Sequence, residues 1–262
     1  MTHAPALLET AEAFYDSKVW AKLDGFIEGN PRVDRAWDRV QRWASPSPRR
    51  VLEIGCGIGD ICWRMGRAWP NAEVVGLDLS SKTIEVATKL FGGPQVRFVH
   101  GAVTSTDVWG TFDLIVMLDV YEHIPAADRW TLHSRLEQSL AEDGRIVLSF
   151  PTPEHLDWLR EHHPEEIQPV DEDITPDVIL TLAKESRTSL ALYQKVNVWH
   201  RGDYAHAVLT RQPWIPHAAP HARPAPGRLQ RYLWRRQSPD RSRAERRDLV
   251  RRRLGIAYDQ RS

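Results

Sequence analysis

Cysteine is scarce in this chain of 262 residues, with Cys56 and Cys62 its only two. Six apart on what reads as a loop and the helix after it, they suit neither a disulfide framework nor a zinc site, and reduced thiols are expected. Long apolar runs are missing as well. No stretch approaches the roughly eighteen consecutive apolar residues that a membrane span needs, and the opening "MTHAPALLETAEAF" lacks a basic segment followed by an apolar one. A soluble, cytoplasmic protein is the expectation. Net charge is also absent, at zero, but the balance conceals an uneven distribution. Residues 211–262 hold 14 Arg, no Lys and 4 acids, which puts this tail at +10 and residues 1–210 at −10. The acidic body offers no broad basic face to draw nucleic-acid phosphates, and the tail is a separate electrostatic object.

With 42% hydrophobic residues, the chain is long enough for one sizeable α/β core with additions. Val33, Trp37, Val40 and Trp43 recur at helical spacing, predicting short amphipathic helices before the "SPSP" break at 45–48. From residue 50 the pattern changes. "RVLEI", "EVVGLD", "VRFVH", "FDLIVML" and "RIVLSF" are short apolar runs separated by helix-length segments, the pattern of a parallel sheet with helices on both faces. A polar stretch follows from Glu154 to Asp173, then a helix near Pro176 to Glu185. "SLALYQKVNVW" and "YAHAVLTR", joined by the turn "HRGD", predict an antiparallel hairpin at the sheet edge. Residues 212–227 read as a Pro/Ala linker, and the Arg-rich remainder as one or two helices. The expected organisation is an N-terminal helical cap (1–48), a core (49–210) and a Pro/Arg-rich tail (211–262).

"VLEIGCGIGD", residues 51–60, places Gly55, Gly57 and Gly59 directly behind an apolar strand, where an open α/β sheet receives its ligand. A dinucleotide fingerprint counted from Gly55 needs a glycine at Asp60, and a phosphate loop needs Lys and Ser or Thr after the last glycine; both fail. Glu53 and Asp60 flank the loop and would repel a pyrophosphate. They suit S-adenosylmethionine, which has no phosphate and carries a sulfonium and an ammonium. Asp78, 19 residues after Gly59, stands about where an acid meets a ribose hydroxyl pair in nucleotide-binding sheets.

These residues resemble the class I S-adenosylmethionine-dependent methyltransferases, whose first signature, acid-x-Gly-x-Gly-x-Gly, corresponds here to Glu53, Gly55, Gly57 and Gly59. The resemblance covers about residues 50–210. It implies a Rossmann-like, seven-stranded, mostly parallel sheet ending in a hairpin, with S-adenosylmethionine as cofactor. The loop, Cys56 included, would meet the methionine end, Asp78 the ribose, and Leu79 the adenine, with Leu118 closing the fourth strand beside it. Many members place Asp after the third strand; "VHGAVTS" offers Ala102 and Val103 there, so backbone contacts or Thr104 would substitute.

Methyl transfer is an in-line displacement that rests on alignment in a dry pocket, with a base only where the nucleophile must lose a proton. Beyond the fourth strand, "DVYEH" presents Asp119, Tyr121, Glu122 and His123, and His123 is the leading base because imidazole titrates near physiological pH. Glu122 and His123 could instead simply fix the loop. Asp119, Glu122 and His123 also match the D/E-x-x-E-H spacing that ligates a divalent cation in the ubiquinone-type O-methyltransferases they resemble, an oxygen-rich set suited to Mg²⁺ or Mn²⁺; the expected site is assigned no metal. His155, Trp158, His162, Gln168 and Tyr193 are candidate acceptor contacts, with His163 and Asp171 beside them, against the alternative of a solvated loop. Zinc held by His155, His162 and His163 lacks a convincing spacing. Trp20, Trp37 and Trp43 could cap the pocket or belong to the core.

The residues that base-modifying methyltransferases use, an Asn- or Asp-Pro-Pro-Tyr run or a Pro-Cys nucleophile, are absent after the fourth strand. A small-molecule acceptor is therefore expected: a hydroxyl on a sugar, phenol or secondary metabolite, with a small amine as the alternative. Tyr232, Leu233, Trp234 and Leu249 among the tail arginines keep RNA or protein methylation open, along with lipid or acidic partners and a helix docked by charge. A non-catalytic cofactor-binding partner subunit is the reading of another class. The assembly is expected to be a monomer or homodimer.

Overall fold

The computed structural model describes residues 3–108, 110–212 and 239–255. Helices α1 (His3–Ser17), α2 (Val19–Glu28) and α3 (Pro31–Trp43) precede the sheet. Pro31 opens α3, where a missing N–H costs nothing, and the Asn30 side chain accepts from the Arg32 N–H at 3.0 Å. Alternating strands and helices follow: β1 (Arg50–Ile54), α4 (Asp60–Ala68), β2 (Glu73–Asp78), α5 (Ser81–Phe91), β3 (Val96–His100), β4 (Phe112–Leu118), α6 (Ala126–Ser139) and β5 (Leu140–Pro151). Then come α7 (Pro153–His162), α8 (Pro176–Glu185), the hairpin β6 (Ser189–Val196) and β7 (Tyr204–Thr210), and α9 (Pro239–Leu254).

Among the described residues the strands form one seven-stranded sheet, ordered β3-β2-β1-β4-β5-β7-β6. The pairings from β3 through β5 are parallel, and β7 runs antiparallel to both β5 and β6. The parallel sheet and its antiparallel edge hairpin are those the run pattern predicts, and the seven-stranded Rossmann-like arrangement is the one the resemblance implies. Side chains alternate across β1: Leu52 and Ile54 pack towards Leu132 and Leu136 of α6 and Leu182 of α8, while Val51 meets Val40 of α3 and Met65 of α4. Because helices cover both faces, the central strands must be apolar throughout, which is why they read as unbroken runs. From β1 the chain winds outward to β2 and β3, then returns to place β4 on the other side. The loops after β1 and β4 therefore diverge and leave a crevice at the carboxyl ends of the strands.

Two segments differ from the sequence reading. Residues 154–173 are not simply a polar stretch, because Thr152 and Pro153 start α7 and Pro164 starts a short 3-10 turn ending at Glu166. In the tail, most of the Pro/Ala run and Tyr232, Leu233 and Trp234 lie outside the described residues. Residues Pro239–Leu254 form α9, which lies against α2 and α5. Val250 is fully buried with Leu23, Phe26 and Ile27 of α2, Ile58 of the glycine loop and Leu90 of α5. Arg243 and Arg247 pair with Glu28 at 2.7 and 3.3 Å, and Arg246 Nε donates to the Ile27 carbonyl at 3.0 Å. No helix among the described residues is long and apolar enough to cross a membrane.

Half-exposed ion pairs contribute little, so apolar contact should hold α9. In urea titrations Val250→Ala is expected to lower the unfolding free energy by about 2 kcal/mol, from the loss of two buried methyl groups. Glu28→Gln is expected to cost less than about 1 kcal/mol. The opposite ranking would show that charge fastens the helix.

Candidate active site

The glycine loop begins where β1 ends. Gly55 N and Cys56 N both donate to the Leu77 carbonyl, at 2.7 and 3.0 Å, tying the loop to the end of β2. Gly55 has φ +72°, and a Cβ there would fall 2.1 Å from Val120 Cγ2, so the loops after β1 and β4 touch where no side chain fits. Gly59, at φ +87°, is pressed against the Phe98 ring in the same way. Beside the loop, Asp78 ends β2 with its carboxylate tightly held. One oxygen accepts from Gly57 N at 2.7 Å and the other from Ser80 N at 2.9 Å and Thr83 Oγ1 at 3.2 Å.

A cavity opens over these strand ends. Gly55, Asp78, Leu79, Ala102, Val103, Thr104, Asp119 and His123 line it, joined by Tyr15 and Lys22 from the N-terminal helices and by Pro169 and Val170. Glu53, Cys56, Gly57, Gly59 and Leu118 lie behind that surface rather than on it. Glu53 is 3% exposed and accepts from Cys62 Sγ at 2.9 Å. Burial, reinforced by the charges of Asp60 and Asp78, pushes its carboxyl up to about 8 against the thiol's opposing bond. Asp60, the other acid flanking the loop, is paired with Arg64 at 2.9 Å, and Arg64 also holds Asp34.

The segment after β4 is compact and charged. Asp119 adopts φ +56°, a conformation uncommon outside glycine, and pairs with Arg32 Nε at 3.2 Å. Arg32 also donates to the Tyr204 hydroxyl at 3.5 Å. Tyr121–His123 form a single 3-10 turn. His123 Nδ1 stands 2.7 Å from the Val170 carbonyl and 3.0 Å from Asp171 Oδ1, two acceptors, so Nδ1 carries the hydrogen. Its Nε2 lies 3.7 Å from Glu122 Oε1. Burial works against the imidazolium, but Glu122 and Asp171 outweigh it and hold His123 above its ordinary range; burial holds Glu122 above its own. Burial, with Glu122, Asp78 and Asp171 adding to it, also raises Tyr15, whose phenol stays protonated. Glu172 N donates to the Glu122 carbonyl at 3.0 Å, closing residues 168–172 over this turn.

The sequence-predicted acceptor residues separate into groups. Gln168 adjoins the cavity-lining Pro169, and its Oε1 is buried without a hydrogen-bond partner. His155, Trp158 and His162 form a ring stack on α7 with His163 and His200, linked to the site through Tyr204. Tyr193 packs on Phe150 and the apolar core. Trp37 is a core residue against Trp69, Trp43 packs beside it, and Trp20 is exposed. Among the described residues, the donor atoms that converge closely enough for a metal belong to His163, Glu165 and Glu166 on the surface, not to Asp119, Glu122 and His123 or to three histidines. Tyr15 and Lys22 escaped sequence reasoning because neither lies in a motif; the folding of α1 and α2 over the sheet brings them here.

Glu53 supplies a pH signature. Its folded value lies above its ordinary 4.5, so its contribution to stability is complete below that value and is lost as pH rises through about 8. Glu53→Gln, which mimics the protonated acid, should gain melting temperature relative to the parent between about pH 5 and about pH 8. Parallel melting curves across that range would refute the buried-acid assignment.

Residues 51–144 match the family model described as a methyltransferase domain. The mitochondrial ubiquinone biosynthesis O-methyltransferase of Schizosaccharomyces pombe is 30% identical over 144 residues, 51% of this chain and 51% of that protein. Trans-aconitate 2-methyltransferase of Afipia carboxidovorans is 28% identical over 109 residues, 42% of this chain and 40% of that protein. The chain thus spans about half the length, or less, of these curated relatives. Among solved structures, the DhpI–SAH complex is similar with a TM-score of 0.61 at 16% identity, covering 82% of this chain and 100% of that one, a likeness of fold. The glycine loop and the acid ending β2 both fall within the matched segment, and residues 51–144 carry a methyltransferase domain.

Proposed function

We propose that this protein transfers the methyl group of S-adenosylmethionine to a hydroxyl oxygen of a small-molecule acceptor. The observation that carries this reading is one cavity with Asp78 on one side and His123 on the other, the imidazole's Nδ1 committed to Val170 and Asp171. The residues present suit the cofactor. Each Asp78 oxygen keeps capacity for a ribose hydroxyl beyond its protein bonds, and Gly55 leaves the loop backbone open to a ligand. Leu79, Ala102, Val103 and Thr104 would flank the adenine, while Glu53, Cys56, Gly57, Gly59 and Leu118 support the loop and strand from behind. Bound there, S-adenosylmethionine supplies a methyl group on a sulfonium, a strong electrophile.

His123 Nε2 is the ring atom left to exchange a proton, and it would take the acceptor hydroxyl's proton as the oxygen attacks. Asp171 orients the ring, Glu122 stabilises the imidazolium that results, and Asp119 and Arg32 hold the turn in place. Tyr15 and Gln168 would contact the acceptor, with the α7 stack of His155, Trp158 and His162 at the rim; Tyr193 would act only through the packing of β6. One further observation favours a small amine as the second reading: Asp119 lines the cavity with its Oδ1 buried and without a hydrogen-bond partner, and an ammonium would satisfy it.

The test uses methyl-labelled S-adenosylmethionine and a panel of phenols, sugars and amines, with cell extract fractionated before and after nuclease or protease treatment. Label on a small hydroxylated compound supports the proposal. Label on amines alone transfers it to the second reading, and label in nuclease- or protease-sensitive material overturns both. With an active acceptor, His123→Asn should lower kcat by about 10²- to 10⁴-fold while leaving S-adenosylhomocysteine affinity unchanged. Because His123 is held above its ordinary range, parent kcat should climb as pH rises from neutral. Asp171→Asn removes one stabilising carboxylate and should shift that rise to lower pH.

A further inference from the structure

A cation stands over the glycine loop. Lys22 projects from α2, which Leu23, Phe26 and Ile27 bury against the body, and its side chain lines the same cavity as Gly55 and Asp78. A Cβ built on Gly57 would lie 3.1 Å from Lys22 Nζ, so the ammonium rests directly on the backbone at the middle of the loop. Among the described residues its side chain forms no ion pair; its recorded neighbour is the Tyr15 ring, with Nζ 5.7 Å from the centroid. The acids that flank the loop are committed elsewhere. Glu53 is buried beneath it against Cys62, and Asp60 is paired with Arg64.

The charge facing a ligand at this end of the cavity is therefore positive, the reverse of what the flanking acids suggest from sequence alone. We propose that Lys22 binds the α-carboxylate of the amino-acid portion of the cofactor at this loop. This rests on the cofactor reading given above. Three properties support it. The anion would meet an ammonium that has no carboxylate partner within the described residues, on a helix anchored by three buried side chains. Gly55, which lines the cavity, has no side chain to keep the anion from the backbone. Tyr15, protonated and lining the same cavity, packs against Lys22 and narrows the positions open to it.

Calorimetric titration of the full chain with S-adenosylhomocysteine and with 5′-methylthioadenosine, which has the nucleoside but no carboxylate, tests the assignment. A charged hydrogen bond of this kind predicts that Lys22→Met weakens S-adenosylhomocysteine binding by about 10- to 100-fold. The same change should leave 5′-methylthioadenosine within about twofold, and Lys22→Arg should retain most of the parent's affinity for both. Unchanged S-adenosylhomocysteine affinity in Lys22→Met, or an equal loss for both ligands, would overturn the role. If the parent chain bound neither ligand, the cofactor reading would fall and take this inference with it. Matching circular dichroism and melting curves for parent and variants would show that a loss is local to the site.

Discussion

The contact between Gly55 and Val120 governs the geometry of the site. The loops after β1 and β4 leave the sheet on either side of the point where the strand order reverses, and they meet with no room for a Cβ. That closeness brings the β4 loop, with Asp119 and His123, against the loop that begins at Gly55. The positive φ at residue 55 lets the chain turn there, and the bonds from Gly55 N and Cys56 N to Leu77 hold the turn to β2. Through β2 the constraint reaches Asp78, whose carboxylate is braced by Gly57 N from the same loop. One steric contact thus links the two sides of the cavity.

Charge is organised around this frame by burial more than by sequence position. Glu53 is driven towards its neutral form beneath the loop, and Asp60 is paired with Arg64. The charged groups that face the cavity include Lys22 at the loop, Asp78 at the end of β2, and Asp119 and His123 beyond β4, His123 being backed by Glu122 and Asp171. Asp171 arrives from a segment far along the chain, fastened by the bond from Glu172 N to the Glu122 carbonyl. Helix α9, with seven arginines among its sixteen residues, uses three of them on α2 and buries Val250 against α2 and Ile58 of the loop. Its inner face supports the wall that carries Lys22.

Much of the architecture was legible because the physics behind it is local. Strands covered on both faces must be apolar throughout, so β1, β2, β4 and β5 announced themselves, and the hairpin was marked by its turn. Thr175 and Pro176 begin α8 at the place the sequence marks for it, whereas the same Thr-Pro start at 152 and 153 begins α7 with no loop between it and β5, inside a stretch that reads as polar. Among site residues, Gly55, Asp78, Leu79, Ala102, Val103, Asp119 and His123 could be placed on the cavity because each sits at a strand end or in a strand-end loop. His155, Trp158 and His162 looked like acceptor contacts by composition but stack mainly on one another, and Tyr193 turns to the core.

By itself the sequence determined the class of fold, the glycine loop at the cavity and the acid that follows it, since these depend on glycine backbone freedom and on residues a few positions apart. Tertiary structure alone decided which charges meet a ligand. Glu53 and Asp60 are adjacent to the loop in sequence and are withdrawn from the cavity by burial and by Arg64, whereas Lys22 and Tyr15, remote in sequence, are carried there by packing, and Asp171 is carried against His123. Proximity along the chain sets backbone conformation; the solvation and pairing of a charge are set by whatever the fold places around it.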